Sequence, residues 1–244
     1  MNEKSYEIIE RTGGNSLKFI AIKGDITKMH TDAIVLPANT MLKEGPGASA
    51  SIFKKAGRKE LTADCKRLAP VEQGSAIPTS AYKLPSDFII HAVVPKWKGG
   101  DNNEYDELCS AYMSSLSLAD TMGLKSIAFP LLAAGHNRFD PRLAVSIAKT
   151  CIEEYHPTNL ENTYLVIFDD TTKALLMSIG ISVYEEELQN NQDKHNKRTS
   201  IQKQEILSKI RTTIPKAVRF INDHKEEIYE FLKLAKNAAK LFLK

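Results

Sequence analysis

The sequence predicts an α/β fold of three layers, α/β/α, with a mostly parallel central sheet and a C-terminal helical extension. Short apolar runs alternate with stretches of helical periodicity through the first 180 residues, the pattern that βαβ crossovers produce. Several of these runs are apolar throughout, as strands covered on both faces must be. The charge then changes along the chain. Residues 191–244 hold 13 basic and 6 acidic residues, a net charge of +7 that leaves −4 for the rest of a chain whose total is +3.

Taken in order, residues 17–22 alternate partly and read as a strand, and 33–36 form a short continuous apolar run that reads as a second. Residues 48–56 and 59–68 read as helices. A strand over 88–94 is stopped by Pro95, and a helix over 104–122 ends at Gly123. Residues 126–132 form a strand running into a loop. Pro141 suits the first turn of a helix over 141–155, a strand follows at 164–168, and 171–179 reads as a short helix. The polar stretch 189–199 then reads as a linker. This divides the chain into a domain over 1–188, the linker, and a basic amphipathic extension over 200–244. In the extension Ile228, Phe231, Leu232, Ala235, Ala238, Ala239 and Phe242 repeat at helical spacing.

Composition narrows the class. A chain of 244 residues, 42% hydrophobic and 26% charged, can bury a core without disulfides or metal. No apolar run approaches the roughly 20 residues that span a bilayer. The first seven residues lack the apolar stretch of a secretory signal, which leads to the expectation of a cytoplasmic protein. Cys65, Cys109 and Cys151 are scattered without CxxC spacing and read as small buried hydrophobes, with neither a metal site nor a disulfide framework expected.

Ligands of open α/β sheets bind outside the carboxyl ends of the strands, and that rule selects three loops. Gly24-Asp25-Ile26-Thr27 follows the first strand. Asp25 there either accepts a hydrogen bond from an exocyclic amine or caps the following turn. Leu36 to Gly47 runs through a Gly-rich turn onto a helix, whose N–H groups and positive end suit a diphosphate; the alternative is a plain strand-to-helix loop. Phe129 to Phe139 runs from a strand end through the small residues Ala133, Ala134 and Gly135 to His136, Asn137 and Phe139. Backbone N–H groups there can approach phosphate closely, with Phe139 as apolar lining, and the alternative is a buried structural turn.

Together these pieces resemble the macrodomain family. The matching segments are Gly24-Asp25-Ile26-Thr27, Asp32-Ala33-Ile34-Val35, Ala38-Asn39, Gly45-Pro46-Gly47, Cys65-Lys66-Arg67-Leu68, Leu84-Pro85 to Ile90-His91, and Phe129-Pro130 to Gly135. Their order and spacing extend over about two-thirds of the chain and omit the extension. The resemblance implies binding of ADP-ribose or a related ADP-ribosyl nucleotide, with no further cofactor and no metal. Asp25 would contact adenine beside Gly24 and Ile26, and Phe168 would stack near it. Asn39 could orient a ribose hydroxyl, Gly45 and Gly47 would lie near the distal ribose, and Ala133 to His136 would wrap the diphosphate. His91 reads as a core histidine.

The chain departs from the family where family hydrolases carry their polar groups. Leu36 stands at the usual first Asn, Pro37 follows it, and Ala48-Ser49 replaces the region of the usual Asp. These losses point to a reader with weak or no hydrolysis. The first alternative is a divergent ADP-ribosyl or O-acyl-ADP-ribose hydrolase using Asn39 or Glu44, with Ser49, His136 and Asn137 as further polar candidates. The second is an interaction protein with a degenerate pocket, acting through its C-terminal helices. The expected partner is ADP-ribose or an ADP-ribosylated protein. The extension is expected to pack on the domain, to self-associate, or to bind a partner or membrane surface, and no specific nucleic acid is expected.

Overall fold

The computed structural model describes residues 17–185 and 198–209. Among the described residues, seven strands form one sheet in the order β3-β4-β2-β5-β6-β1-β7. They are β1 (Lys18–Lys23), β2 (Ala33–Ala38), β3 (Ala76–Ser80), β4 (Phe88–Val93), β5 (Ser126–Pro130), β6 (Asn162–Ile167) and β7 (Val183–Glu185). Every pairing is parallel except that of β3 with β4. The helices are α1 (Ala48–Ala56), α2 (Arg58–Leu68), α3 (Glu104–Thr121), α4 (Pro141–Glu153) and α5 (Asp170–Ser178).

The layers follow from strand alternation. Val35, Ile90, Phe129 and Leu165 point into one core, against α3, α4 and Leu176 of α5. Ile34, Leu36, Ile89 and Val166 point to the other side, against Ile52 and Phe53 of α1 and Leu61 of α2. The sheet is thus apolar on both faces. The predicted helices and strands match these elements to within a few residues at their ends, as expected of frayed boundaries.

Two strands escaped the sequence pattern. In β3, Pro78 breaks the usual strand signature, and it is tolerated because β3 lies at the sheet edge. The other edge strand, β7, is only three residues long. The cysteine expectation is also corrected. Cys109 of α3 and Cys151 of α4 form a disulfide, with Cα atoms 6.2 Å apart. Helix packing brings together two residues separated by 42 positions, which sequence spacing cannot show. Cys65 is free and buried.

A sixth helix, α6, covers residues 200–209. Thr199 and Gln202 form its capping box: the Gln202 N–H donates to Thr199 Oγ1 at 3.3 Å, and Thr199 N–H donates to Gln202 Oε1 at 2.9 Å. Its start lies against the N-terminal ends of β2 and β4. The Arg198 guanidinium pairs with Asp32 and, at 3.0 Å, with Asp87, while Lys203 meets Asp87 at 2.9 Å. Leu207 joins the core shared by α3 and α4. The amphipathic stretch 228–242 and the first seven residues lie outside the described residues. Among the described residues no helix is long and apolar enough to cross a membrane.

Candidate functional site

Strands β2, β5, β6 and β1 are consecutive in the sheet and mutually parallel. Their carboxyl ends therefore open on one edge, side by side. At about 4.8 Å per strand, the three steps from β1 to β2 span about 14 Å. Chain order jumps from β1 to β2 across two places that β5 and β6 later fill, so the crevice is a topological switch point. Gly24 to Thr27, Asn39 to Gly47, Leu131 to Phe139 and Phe168 all follow these strand ends.

At the β1 end, Gly24 N–H donates to Ile167 O of β6 at 2.9 Å, fixing the turn. Asp25 is the N-cap of a short 3-10 turn, Ile26–Lys28, in which Ile26 is buried. Its Oδ1 accepts the Thr27 N–H at 2.9 Å and the Thr27 hydroxyl at 2.7 Å. The capping alternative is therefore present in the structure. Beside it, Phe168 is 83% exposed at the end of β6. Next in the chain, Asp169 caps α5 by accepting Thr172 N–H at 2.8 Å, and that hydrogen bond holds its carboxyl below the usual range. Lys23 pairs with Asp170, and the hydrogen bond raises the ammonium pKa.

At the β2 end, Leu42 is buried and anchors the loop. Asn39 organises that loop with its own side chain. Its Oδ1 accepts Met41 N–H at 3.2 Å and Lys43 N–H at 3.1 Å, and its Nδ2 donates to Lys43 O at 2.8 Å. Glu44 forms a two-pronged pair with Arg58, with contacts of 2.9 to 3.1 Å. Ser49 is buried, and its hydroxyl accepts the Gly45 N–H at 3.0 Å. Gly47, at φ +68°, precedes α1 without any side-chain cap, leaving the positive end of that helix on the crevice. Leu36 is buried in the core and presents no polar group.

The β5 loop is supported from beneath. Leu132 N–H donates to the buried Tyr112 hydroxyl at 3.1 Å, and burial raises that phenol's pKa. Ala133 takes the left-handed conformation at φ 63°, and its carbonyl accepts Phe139 N–H at 3.2 Å. The loop tip at Gly135 and His136 is exposed. Asn137 turns inward: its Nδ2 donates to Pro95 O at 2.9 Å, and its carbonyl accepts Trp97 N–H at 2.8 Å. Phe139 is only 2% exposed, packed against the Trp97 ring at 5.0 Å. Its ring packs beneath the loop with the core residues, where an aromatic ring gains by burial. His91 is buried mid-strand, and burial holds its pKa down near 3.

The crevice therefore offers backbone N–H groups, one helix end, one bare ring and one capping carboxylate. Among the described residues no cluster of His, Cys, Asp or Glu could hold a metal. Sequence reasoning missed Tyr112 and Trp97 as supports of the β5 loop. The only signal for the second was that Trp97 is the single tryptophan of the chain.

A family model described as Macro domain matches residues 35–148. A macro domain-containing protein of Methanosarcina mazei is 40% identical over 161 residues, 65% of this chain and 86% of that protein. An O-acetyl-ADP-ribose deacetylase 1 of Pantoea vagans is 38% identical over 170 residues, 66% of this chain and 98% of that protein. Among solved structures, a mutant of the Oceanobacillus iheyensis macrodomain with ADPR aligns at TM-score 0.63 and 29% identity, covering 68% of this chain and 93% of that one. The Trypanosoma brucei macrodomain in complex with ADP-ribose aligns at TM-score 0.60 and 27% identity, covering 66% and 68%.

Proposed function

This chain belongs to the macro domain family, and we propose that it holds ADP-ribose or a related ADP-ribosyl nucleotide in the crevice while turning it over weakly or not at all. Binding is supported by the fit between ligand and crevice. Phe168 offers a face for adenine, Asp25 a carboxylate beside it, and the α1 end with the Ala133 to His136 backbone a cradle for the diphosphate.

The observation that carries the absence of turnover is the condition of the polar groups at the β2 end. Leu36 is apolar and buried, the Asn39 amide is spent on its own loop, Glu44 is held by Arg58, and the Ser49 hydroxyl is taken by Gly45. A general base must come within hydrogen-bond reach of the proton it removes, and at the β2 end the Asn39 and Glu44 side chains are engaged elsewhere. Calorimetry should show 1:1 binding of ADP-ribose, and incubation with a mono-ADP-ribosylated protein should release little or no ADP-ribose. Absence of binding at millimolar ligand would sink the reading.

The similarity to an O-acetyl-ADP-ribose deacetylase favours a second reading, an ester or ADP-ribosyl hydrolase whose polar groups are placed differently. His136 at the exposed loop tip is then the side chain to replace first. Turnover of O-acetyl-ADP-ribose that His136→Ala abolishes would establish it.

A further inference from the structure

Glu104 opens α3, far in sequence from every loop of the crevice, yet it is 1% exposed. Its carboxylate lies inside the loop that joins β4 to α3. Oε1 accepts Lys98 N–H at 2.8 Å and Gly100 N–H at 3.2 Å, and Oε2 accepts Asn102 N–H at 2.7 Å. Burial alone would push the pKa of this group up. The backbone N–H donors, its own included, outweigh that and hold it near 2, so the group stays charged and the loop stays wrapped around it.

That loop in turn grips the β5 loop. Trp97 N–H donates to Asn137 O, Pro95 O accepts from Asn137 Nδ2, and the Trp97 ring packs edge-on to both Phe139 and Tyr105. The fit allows no slack. A Cβ added at Gly100, where φ is +93°, would meet the Trp97 ring at 2.9 Å and Tyr105 at 3.0 Å. The chain of contacts therefore runs from Glu104 through the 95–102 loop to residues 137–139. It ends on the loop that the proposed function assigns to the diphosphate. In the sheet β4 lies beyond β2, at the end of the crevice away from Phe168.

We propose that Glu104 is a positioning residue for the ligand crevice: by holding the 95–102 loop it fixes the β5 loop, and so sets affinity for the part of the nucleotide beyond the first phosphate. It touches no ligand. The adenine end, built on β1 and β6, is independent of it. This inference rests on the proposed reading of the crevice.

The test uses the full chain with Glu104→Gln, nearly isosteric with the native side chain, which replaces one acceptor oxygen with an amide facing the Asn102 N–H. A buried unsatisfied polar group of this kind weakens the loop enough to cost about tenfold in ADP-ribose affinity. Binding of adenosine 5′-monophosphate should stay within about threefold of wild type, since only the far end is disturbed. Asn137→Ala should give the same ligand-selective loss, and the double variant should be no worse than either single one, because the two residues act through one contact chain. Amide exchange over residues 133–139, measured without ligand, should quicken in Glu104→Gln. Equal losses for both nucleotides, or unchanged exchange in the β5 loop, would overturn the proposal. If the wild-type chain binds neither nucleotide, the reading of the crevice fails, and the exchange experiment still decides whether Glu104 positions the loop. A Glu104→Gln chain that does not fold leaves the decision to Asn137→Ala, for which an unchanged ADP-ribose to monophosphate affinity ratio overturns the proposal.

Discussion

Replacing Arg198 with alanine should destabilise the domain by about 2 kcal/mol, although the residue lies in a polar stretch remote from the crevice. The magnitude follows from the burial and the surviving partners. The Asp87 side chain is fully buried, that of Asp32 is 8% exposed, and that of Arg198 is 22% exposed. Removing one partner of a fully buried pair costs about 3–5 kcal/mol, because a carboxylate is left uncompensated, whereas an exposed pair is worth at most about 1 kcal/mol. Here Asp32 keeps the N–H groups of Lys125 and Ser126, and Asp87 keeps Lys203 and the Arg198 main-chain N–H. These survivors place the cost between the two limits. Release of residues 198–209 would let water reach both carboxylates, which caps the penalty at the cost of detachment. With a urea m-value of about 2 kcal/mol/M, the midpoint should fall by about 1 M. Combining Arg198→Ala with Lys203→Ala should cost more than the sum of the two, since Asp87 then loses both cations. Lys209→Ala, which breaks an exposed pair with Glu205, should shift the midpoint by less than about 0.2 M. An Arg198→Ala midpoint as close to wild type as that control would refute the reasoning.

Other consequences can be measured on the same protein. Phe168→Ala should leave urea stability within about 0.5 kcal/mol, since the ring is exposed, yet weaken ADP-ribose binding by about tenfold, the lower range of a base–aromatic stack; equal affinity in calorimetry would remove Phe168 from the site. Asp25→Asn should retain the cap on the 3-10 turn, because Asn and Asp cap about equally well. It should still weaken adenine nucleotides, since it replaces a carboxylate with a group that also donates; unchanged affinity with unchanged stability would leave Asp25 a cap and nothing more. His91 gives a pH dependence. Burial holds its folded pKa near 3, so below about 6.5 the unfolded chain takes up a proton that the native state refuses. Stability is then fully present well above 6.5 and lost as pH falls toward 3, by about 2 kcal/mol between pH 8 and 5. His91→Gln should flatten urea stability over that interval, and a slope that survives the substitution would assign it elsewhere.

Much of the fold was legible because it is local. The run Ala33-Ile34-Val35-Leu36 is a buried strand wherever it sits, Pro141 opens a helix, and Asp140 caps it by accepting Arg142 N–H at 2.9 Å. The loops of the crevice were found by their place after strands, and the loss of polar residues at Leu36 was visible as a departure from a family pattern. Their state was not. Asn39 and Glu44 carry the right chemical types for catalysis, but a side chain's availability depends on its neighbours. Asn39 is taken by its own loop and Glu44 by an arginine 14 residues away.

The sequence by itself determined the periodicities, the alternation of strand and helix, the loops at the strand ends and the basic extension, since each depends on residues within a few positions of one another. Only the tertiary structure decided the strand order, the edge position that admits Pro78, the bond between Cys109 and Cys151, the burial of Phe139 and the carboxylate that holds the 95–102 loop. It alone joined Arg198 to Asp32 across 166 residues. Such contacts are selected by burial and charge compensation in the folded chain, and no local pattern encodes which distant residue will satisfy them.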